Sequence, residues 1–421
     1  MKARPLPLAL YAAATGLMAP LAPALLRARA RRGKEDPARL SERLGQASQP
    51  RPAGPLVWLH GVSVGETQSL LPLIEGLKAR RGDLGLLVTS GTVTAAQLLA
   101  QRLPRGVIHQ FAPVDSPGAV ARFLDHWRPD LGLFVESELW PNLILAARAR
   151  GVRLALLSAR MTDGSAKGWA RTPGSARAVV GAFELIAPQD AATEARLRGL
   201  GATTGPRLNL KLVGAALPAD AAELTRLSKA VGVRKAVLAA STHPGEEALI
   251  AAAAREAGAS LAIVAPRHPE RGEAVAAELR GLGFCVARRA AGEPMTAKTN
   301  AYVADTLGEM GLFLRLAVVV VMGGSFAPGI GGHNPMEAAR LGKPLVTGPH
   351  AFNAREIYDE MFVEAAALEA ADAGALALHL RSLLDNPMIA RRVGEAALTY
   401  AERQGAALET ALARLEPLLP A

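Results

Sequence analysis

Twelve short apolar runs, separated by stretches of helical periodicity, leave few folds open to this chain. Six come first: LVWLH at Leu56, LGLLVTS at Leu84, VIHQFAP at Val107, LGLFVES at Leu131, RLALLSA at Arg153 and ELIAPQ at Glu184. A polar, glycine-containing section from Gly201 to Pro206 breaks the pattern. Six more follow: VLAAS at Val237, LAIVAPR at Leu261, FCVARR at Phe284, AYVADT at Ala301, VVVVMGG at Val318 and PLVTGP at Pro344. The spacing is that of βαβ units, and runs apolar nearly throughout belong to parallel strands covered on both faces by helices. The expected fold is α/β, with two Rossmann-like doubly wound domains. Ligands in such sheets bind at the carboxyl ends of strands and, where two domains face each other, in the cleft between them. The expected boundaries are an N-terminal anchor and basic segment over 1–50, a first Rossmann-like domain over 51–205, and a second domain with C-terminal helices over 206–421. No sequence repeat relates the halves.

A length of 421 residues accommodates two such cores, and 50% apolar with 4% aromatic residues predicts Ala, Leu and Val layers. The single cysteine, Cys285, rules out a disulfide framework and fits a reducing compartment; in its apolar run it reads as a buried structural thiol. A net charge of +10 points to nucleic acid, an anionic membrane or an acidic substrate. The absence of RNP, helix-turn-helix and zinc-finger signatures, with few aromatics to stack bases, sets nucleic acid aside. The excess charge is concentrated in RARARRGK, Arg27 to Lys34, directly after an uncharged segment from Pro5 to Leu26. That pairing predicts an anchor in or partly through a membrane, interrupted near its end by Pro20 and Pro23, with the arginines on the cytoplasmic side. A cleaved signal peptide is the rival, since Lys2 and Arg4 precede the apolar run and Ala22-Pro23-Ala24 resembles a cleavage site.

The polar clusters fall where β-type runs end. HGVSVGET, His60 to Thr67, follows LVWLH, and Glu136-Ser137-Glu138-Leu139-Trp140-Pro141-Asn142 follows LGLFV. Two roles are open for Glu66: a capping carboxylate in a first helical turn, or a general base. Glu136 and Glu138 fall on the same side of an extended strand, where paired carboxylates divide acid and base roles or cap a strand end. STHPGEE, Ser241 to Glu247, offers two hydroxyls, Ser241 and Thr242, before Pro244 at a helix start, a phosphate cradle by its free N–H groups. Arg267 and His268 in PRHPER are candidates for the same phosphate. Between Gly329 and Asn353 an apolar run feeds a glycine-rich turn, and a helical pattern opens near Asn334 with Pro335 inside it. Glycines admit a ligand close to the backbone, and Glu337 in the first turn is placed to accept from sugar hydroxyls. Lys211 stands at the junction between the halves.

No metal-ligand or Walker pattern is present, so neither metal nor cofactor is implied. GVSVG, Gly61 to Gly65, resembles a hydrolase nucleophile elbow centred on Ser63, with His333 or His350 as partner. A hydrolase of that kind has one sheet, which leaves the second βα series unexplained.

Taken together, HGVSVGE, ESELWPN, NLK, STHPGEE, PRHPER, DTLGEM, GGSFAPGIGGHNPMEAARLGKP and GPHAFN resemble the 3-deoxy-D-manno-octulosonic acid (Kdo) transferases of lipopolysaccharide core synthesis. The resemblance implies a GT-B glycosyltransferase fold, CMP-Kdo as donor, the lipid A precursor (lipid IVA) as acceptor, and inverting, metal-independent transfer at the cytoplasmic face of the cell inner membrane. A glycosyltransferase using another nucleotide-activated sugar is the alternative within the fold. By resemblance the catalytic base is Glu66, and the second acidic motif falls on Glu136 and Glu138. Substrate binding carries over to Ser63, Arg160, Lys211, Ser241, Thr242, Arg267, His268, Gly331, Gly332, His333, Asn334, Glu337, Asn353 and Glu356. The chain departs from the pattern where Asn-Ala-Arg is usual: Ser158-Ala159-Arg160 leads into MTDGSAKGWARTPG, which implies an altered acceptor-facing region.

Overall fold

The structure, a computed structural model, describes residues 4–420. The chain forms two compact units: one combines the N-terminal residues through Gly214 with Gln404 onward, the other runs from Ala215 to Arg403. The expected division at 205/206 therefore shifts, and the chain's end does not stay with the second unit. The reason is the last helix, Pro387–Leu415, whose final turns bring Leu408, Ala411, Leu412 and Leu415 into the core of the first unit against Leu73, Ile74 and Leu77. Apolar residues at helical spacing pack where an apolar face is open, whatever their place in the sequence.

The first unit holds a six-stranded sheet: β1 (Leu56–His60), β2 (Gly85–Ser90), β3 (Val107–Phe111), β4 (Leu131–Val135), β5 (Arg153–Ala159) and β6 (Leu185–Pro188). All pairs are parallel, in the order β3-β2-β1-β4-β5-β6. β1 and β4 are buried throughout, and Trp58 and Phe134 meet edge to face with ring centroids 4.9 Å apart. The second unit holds β7 (Ala236–Thr242), β8 (Leu261–Pro266), β9 (Val286–Arg288), β10 (Ala301–Val303), β11 (Val319–Met322), β12 (Leu345–Thr347) and β13 (Leu368–Glu369). These too are parallel, in the order β13-β12-β11-β7-β8-β10-β9. Each of the twelve apolar runs contains one strand; the two-residue β13 has no matching run. Cys285 is exposed, against expectation, because β9 is a three-residue edge strand that begins after it.

Strand order reverses between β1 and β4 in one sheet and between β7 and β11 in the other. Those are the switch points at which the loops leaving adjacent strands diverge and open a crevice. HGVSVGE and ESELWPN leave the first pair; STHPGEE and GGSFAPGIGGHN leave the second.

At the N-terminus, helix Leu6–Met18 passes through a 3-10 turn, Ala19–Leu21, into helix Ala22–Ala30, so the prolines interrupt the segment as expected. One face docks on the first unit: Arg4 donates to Asn142 at 2.6 Å, Tyr11 to Asp115 at 3.0 Å, and Asn142 to Thr15 at 3.0 Å, with Leu8 and Leu26 buried. The other face leaves Leu6, Leu10, Leu17, Met18, Leu21 and Leu25 exposed. By length and composition Leu6–Ala30 is apolar enough to cross a membrane.

Candidate active site

In the first unit, β1 ends at His60 and helix Val64–Arg80 begins four residues later with Ser63 as its N-cap. Ser63 Oγ accepts from Glu66 N at 3.3 Å and donates to Glu66 Oε1 at 2.8 Å, while Val62 N donates to Glu66 Oε2 at 2.6 Å. This reciprocal arrangement is a form of capping box. It holds the Glu66 carboxylate in one orientation and leaves further lone pairs on both oxygens. The Ser63 hydroxyl thus serves a carboxylate rather than a histidine, and its backbone is ordinary extended chain (φ −91°, ψ 170°), unlike the strained turn of a nucleophile elbow. The hydrolase reading fails on both counts.

Glu136 and Glu138 lie beyond β4 in a turn, so the shared strand face expected for them does not exist. Glu136 adopts left-handed φ of +56° and reverses the chain. It is buried and pairs with Lys211 Nζ at 2.7 Å. Lys211 sits in the 3-10 turn Leu210–Leu212, capped by Asn209. Glu138 points the other way, toward Glu66, and accepts from the indole N–H of Trp140. Burial, then the neighbouring Glu66 carboxylate, push the Glu138 carboxyl up to about 7. A carboxyl beside another carboxylate holds its own proton to higher pH. Trp140 also lines a cavity of about 350 Å³, with Leu8 and Tyr11 of the N-terminal helix and Leu139, Pro141 and Trp169. Arg160 is tied by its backbone, donating to the Glu136 carbonyl at 3.2 Å, and its side chain is exposed. Ser158, where the Kdo transferase pattern has asparagine, stands at φ +50°.

The second unit builds a different surface. Ser241 takes φ of +56° at the end of β7. Thr242 is fully buried and donates to Glu247 Oε1, to which Arg271 Nη1 also donates at 2.6 Å, so its hydroxyl supports the loop instead of facing a ligand. Glu246, 1% exposed, accepts from His243 N (2.8 Å), Gly324 N (2.6 Å) and Phe326 N (2.8 Å), locking the β7 loop to the β11 loop. A carboxylate from the chain itself thus takes one amide of STHPGEE and two of the β11 loop.

The glycine turn is buried at Gly331 and Gly332. Gly331 (φ +97°) and Gly332 (φ +74°) use backbone that side chains rarely adopt, and a Cβ on Gly331 would meet the Asn353 side chain. Gly332 N donates to Gly324 O at 2.7 Å and Asn353 Nδ2 to Ile330 O at 2.9 Å. His333 stacks on His243, ring centroids 5.2 Å apart, with the two Nε2 atoms 3.0 Å apart. Burial, then His243, lower His333 to about 4, so the pair is neutral at pH 7. His268, exposed, lies 6.0 Å ring to ring from His243. The helix after the turn is a single turn, Met336–Ala339, with Asn334 accepting from Met336 N at 2.9 Å, too short for its dipole to count for much. Arg267 and Glu337 are exposed, and the charge of Arg267 reaches Glu337. Glu356 opens helix Arg355–Val363, just past Asn353. His243, Glu246, Glu247 and Arg271 were not singled out from the sequence, although the first three stand in STHPGEE; nothing local distinguishes a glutamate that caps a distant loop from one that faces solvent.

A family profile described as 3-Deoxy-D-manno-octulosonic-acid transferase (kdotransferase) matches residues 38–213. A probable mitochondrial 3-deoxy-D-manno-octulosonic acid transferase of Arabidopsis thaliana is 38% identical, over 81% of this chain and 79% of its own length. The chain belongs to the Kdo transferase family. The 3-deoxy-D-manno-octulosonic acid transferase of Bordetella pertussis is 35% identical over 89% of this chain and 90% of its own. The fold is that of GT-B glycosyltransferases: a glycosyltransferase from Rickettsia africae superposes with a TM-score of 0.58 at 11% identity, over 87% of this chain and 99% of that one. This Kdo transferase is therefore a glycosyltransferase of lipopolysaccharide synthesis.

Proposed function

We propose that the chain transfers Kdo from CMP-Kdo to the lipid A precursor, lipid IVA, with inversion and without a metal, at the cytoplasmic face of the inner membrane. The observation that carries this reading is the grouping of Glu66, Glu138 and the Glu136–Lys211 pair past β1 and β4 in a Kdo transferase. An acceptor hydroxyl must lose its proton as its oxygen attacks the ketosidic carbon. Glu66, oriented by its capping bonds, is the proposed base, and Glu138, with its carboxyl raised, stands beside it. Lys211 supplies positive charge next to Glu136.

CMP leaves as a phosphate monoester, whose negative charge the backbone of the Gly331–Gly332 turn, Ser241, Arg267 and His268 would receive. Asn334, Glu337, Asn353 and Glu356 are proposed to hold the sugar and ribose hydroxyls. The N-terminal segment is proposed to lie along the membrane surface. Its polar face is bonded to Asp115 and Asn142, its exposed leucines enter the lipid, and the Arg27–Lys34 cluster meets anionic headgroups. Those bonds to the folded unit favour a resident anchor over a cleaved leader. The apolar cavity beside Trp140 is proposed to receive an acyl portion of the acceptor.

The test is transfer from freshly made CMP-Kdo to lipid IVA in detergent, with and without EDTA, read by mass spectrometry. A product heavier by Kdo, undiminished by EDTA, is expected. No added Kdo mass overturns the proposal, and a product seen with another nucleotide sugar only supports the alternative donor.

A further inference from the structure

Behind the carboxylates of the first unit stands a histidine that the proposed chemistry does not use. His60 closes β1 and is 1% exposed. Its Nδ1 lies 2.9 Å from Thr89 Oγ1 on β2, and that oxygen also accepts from Trp58 Nε1 at 2.8 Å. Its Nε2 is buried without a hydrogen-bond partner. Glu138 Oε2 is 3.9 Å away from it. A buried ring nitrogen without a partner costs stability, so its direction toward a site carboxyl calls for an account.

The groups on either side of the ring supply one. An indole N–H only donates, so Thr89 Oγ1 is its acceptor and has a single proton of its own to give. That proton goes to His60 Nδ1 at 2.9 Å or to the Leu59 carbonyl at 3.4 Å. The 2.9 Å contact forms in either tautomer, since Oγ1 has a second lone pair; what favours the proton on Nε2 is the Glu138 carboxyl that this otherwise unpartnered nitrogen faces. Burial, then the charge of Arg43, lower the ring to about 3, so it stays neutral while Glu138 titrates near 7.

We propose that His60 is a positioning residue: its ring oriented by Thr89 and its proton on Nε2, it donates to the ionised Glu138 carboxylate and holds it against Glu66. Small rotations of the Glu138 side chain convert the 3.9 Å approach into a hydrogen bond. The role rests on the reading of Glu138 as part of the acceptor site. The other charged groups facing Glu138 are Glu66 from the helix after β1, and Glu136 of its own turn with Lys211 bound to it.

The test uses the full chain in detergent with ¹⁵N-labelled histidine. Two-bond proton–nitrogen correlations should show His60, assigned by the loss of its signals in His60→Gln, as the neutral Nε2–H tautomer. Thr89→Val, which removes the contact that orients the ring, should weaken this hold on Glu138 and move the acid limb of kcat/KM upward. In the transfer assay, His60→Phe should move the acid limb of kcat/KM up by about one pH unit and lower kcat roughly tenfold. His60→Gln, whose amide can donate from the same place, should restore both toward wild type. An Nδ1–H tautomer in the native chain overturns the proposal alone, as does an unmoved acid limb in a folded His60→Phe. Undiminished transfer by Glu138→Gln overturns the acceptor-site reading, and the positioning role with it. If His60→Phe does not fold, Thr89→Val decides: an unchanged acid limb overturns the positioning role.

Discussion

The two units share parallel sheets and a switch point, yet they spend their glutamates in opposite ways. In the first unit, Glu66 and Glu138 face each other at the strand ends, and the repulsion and burial of that arrangement appear as a carboxyl raised to about 7. In the second, Glu246 and Glu247 are buried in the loop framework, one on three backbone amides and the other on Thr242 and Arg271. The proposed function gives the first surface a proton to take and the second an anion to hold. The difference teaches that residue type does not assign the role; what each carboxylate has already bonded to does.

Exchanging the roles should fail in graded steps. Glu66→Gln keeps hydrogen-bonding capacity but removes the proposed base, so kcat/KM for transfer should fall by about 10³-fold with little change in Tm. Glu246→Ala should do the reverse. It leaves the N–H groups of His243, Gly324 and Phe326 without their acceptor, and about 3 kcal/mol of stability should be lost in urea unfolding. A Glu246→Ala variant as stable as the native chain would remove the contrast.

Glu138 should show the cost of crowding through its pH dependence. Its carboxyl is raised from 4.5 to about 7 in the fold. Between those values the folded chain therefore binds a proton that the unfolded chain has released. The group's contribution to stability is complete below the lower value and is lost as pH rises through the upper one. Relative to the native chain, Glu138→Gln should gain about 1–3 kcal/mol between roughly pH 5 and pH 8, read from Tm across that range. A constant difference would mean the carboxyl titrates normally.

The architecture was legible because buried parallel strands must be apolar on both faces; runs such as LVWLH and LGLFV announce themselves without any contact being known. Motif positions were legible for the same reason, since a polar cluster directly after such a run has to stand at a strand end. Cys285 misled because an apolar neighbourhood in sequence does not reveal an edge strand. Glu136 and Glu138 misled because one residue in left-handed backbone sends two carboxylates of equal spacing to different partners.

The sequence by itself determined two parallel α/β sheets, the polar clusters at their strand ends, and an apolar segment followed by arginines. Tertiary structure alone decided the strand order that sets those clusters at switch points, the return of the last helix to the first unit, and which glutamates meet each other and which meet amides. Periodicity along a chain records what each residue must hide from water. It holds no record of which distant donor, charge or apolar face will stand beside that residue once the chain has closed on itself.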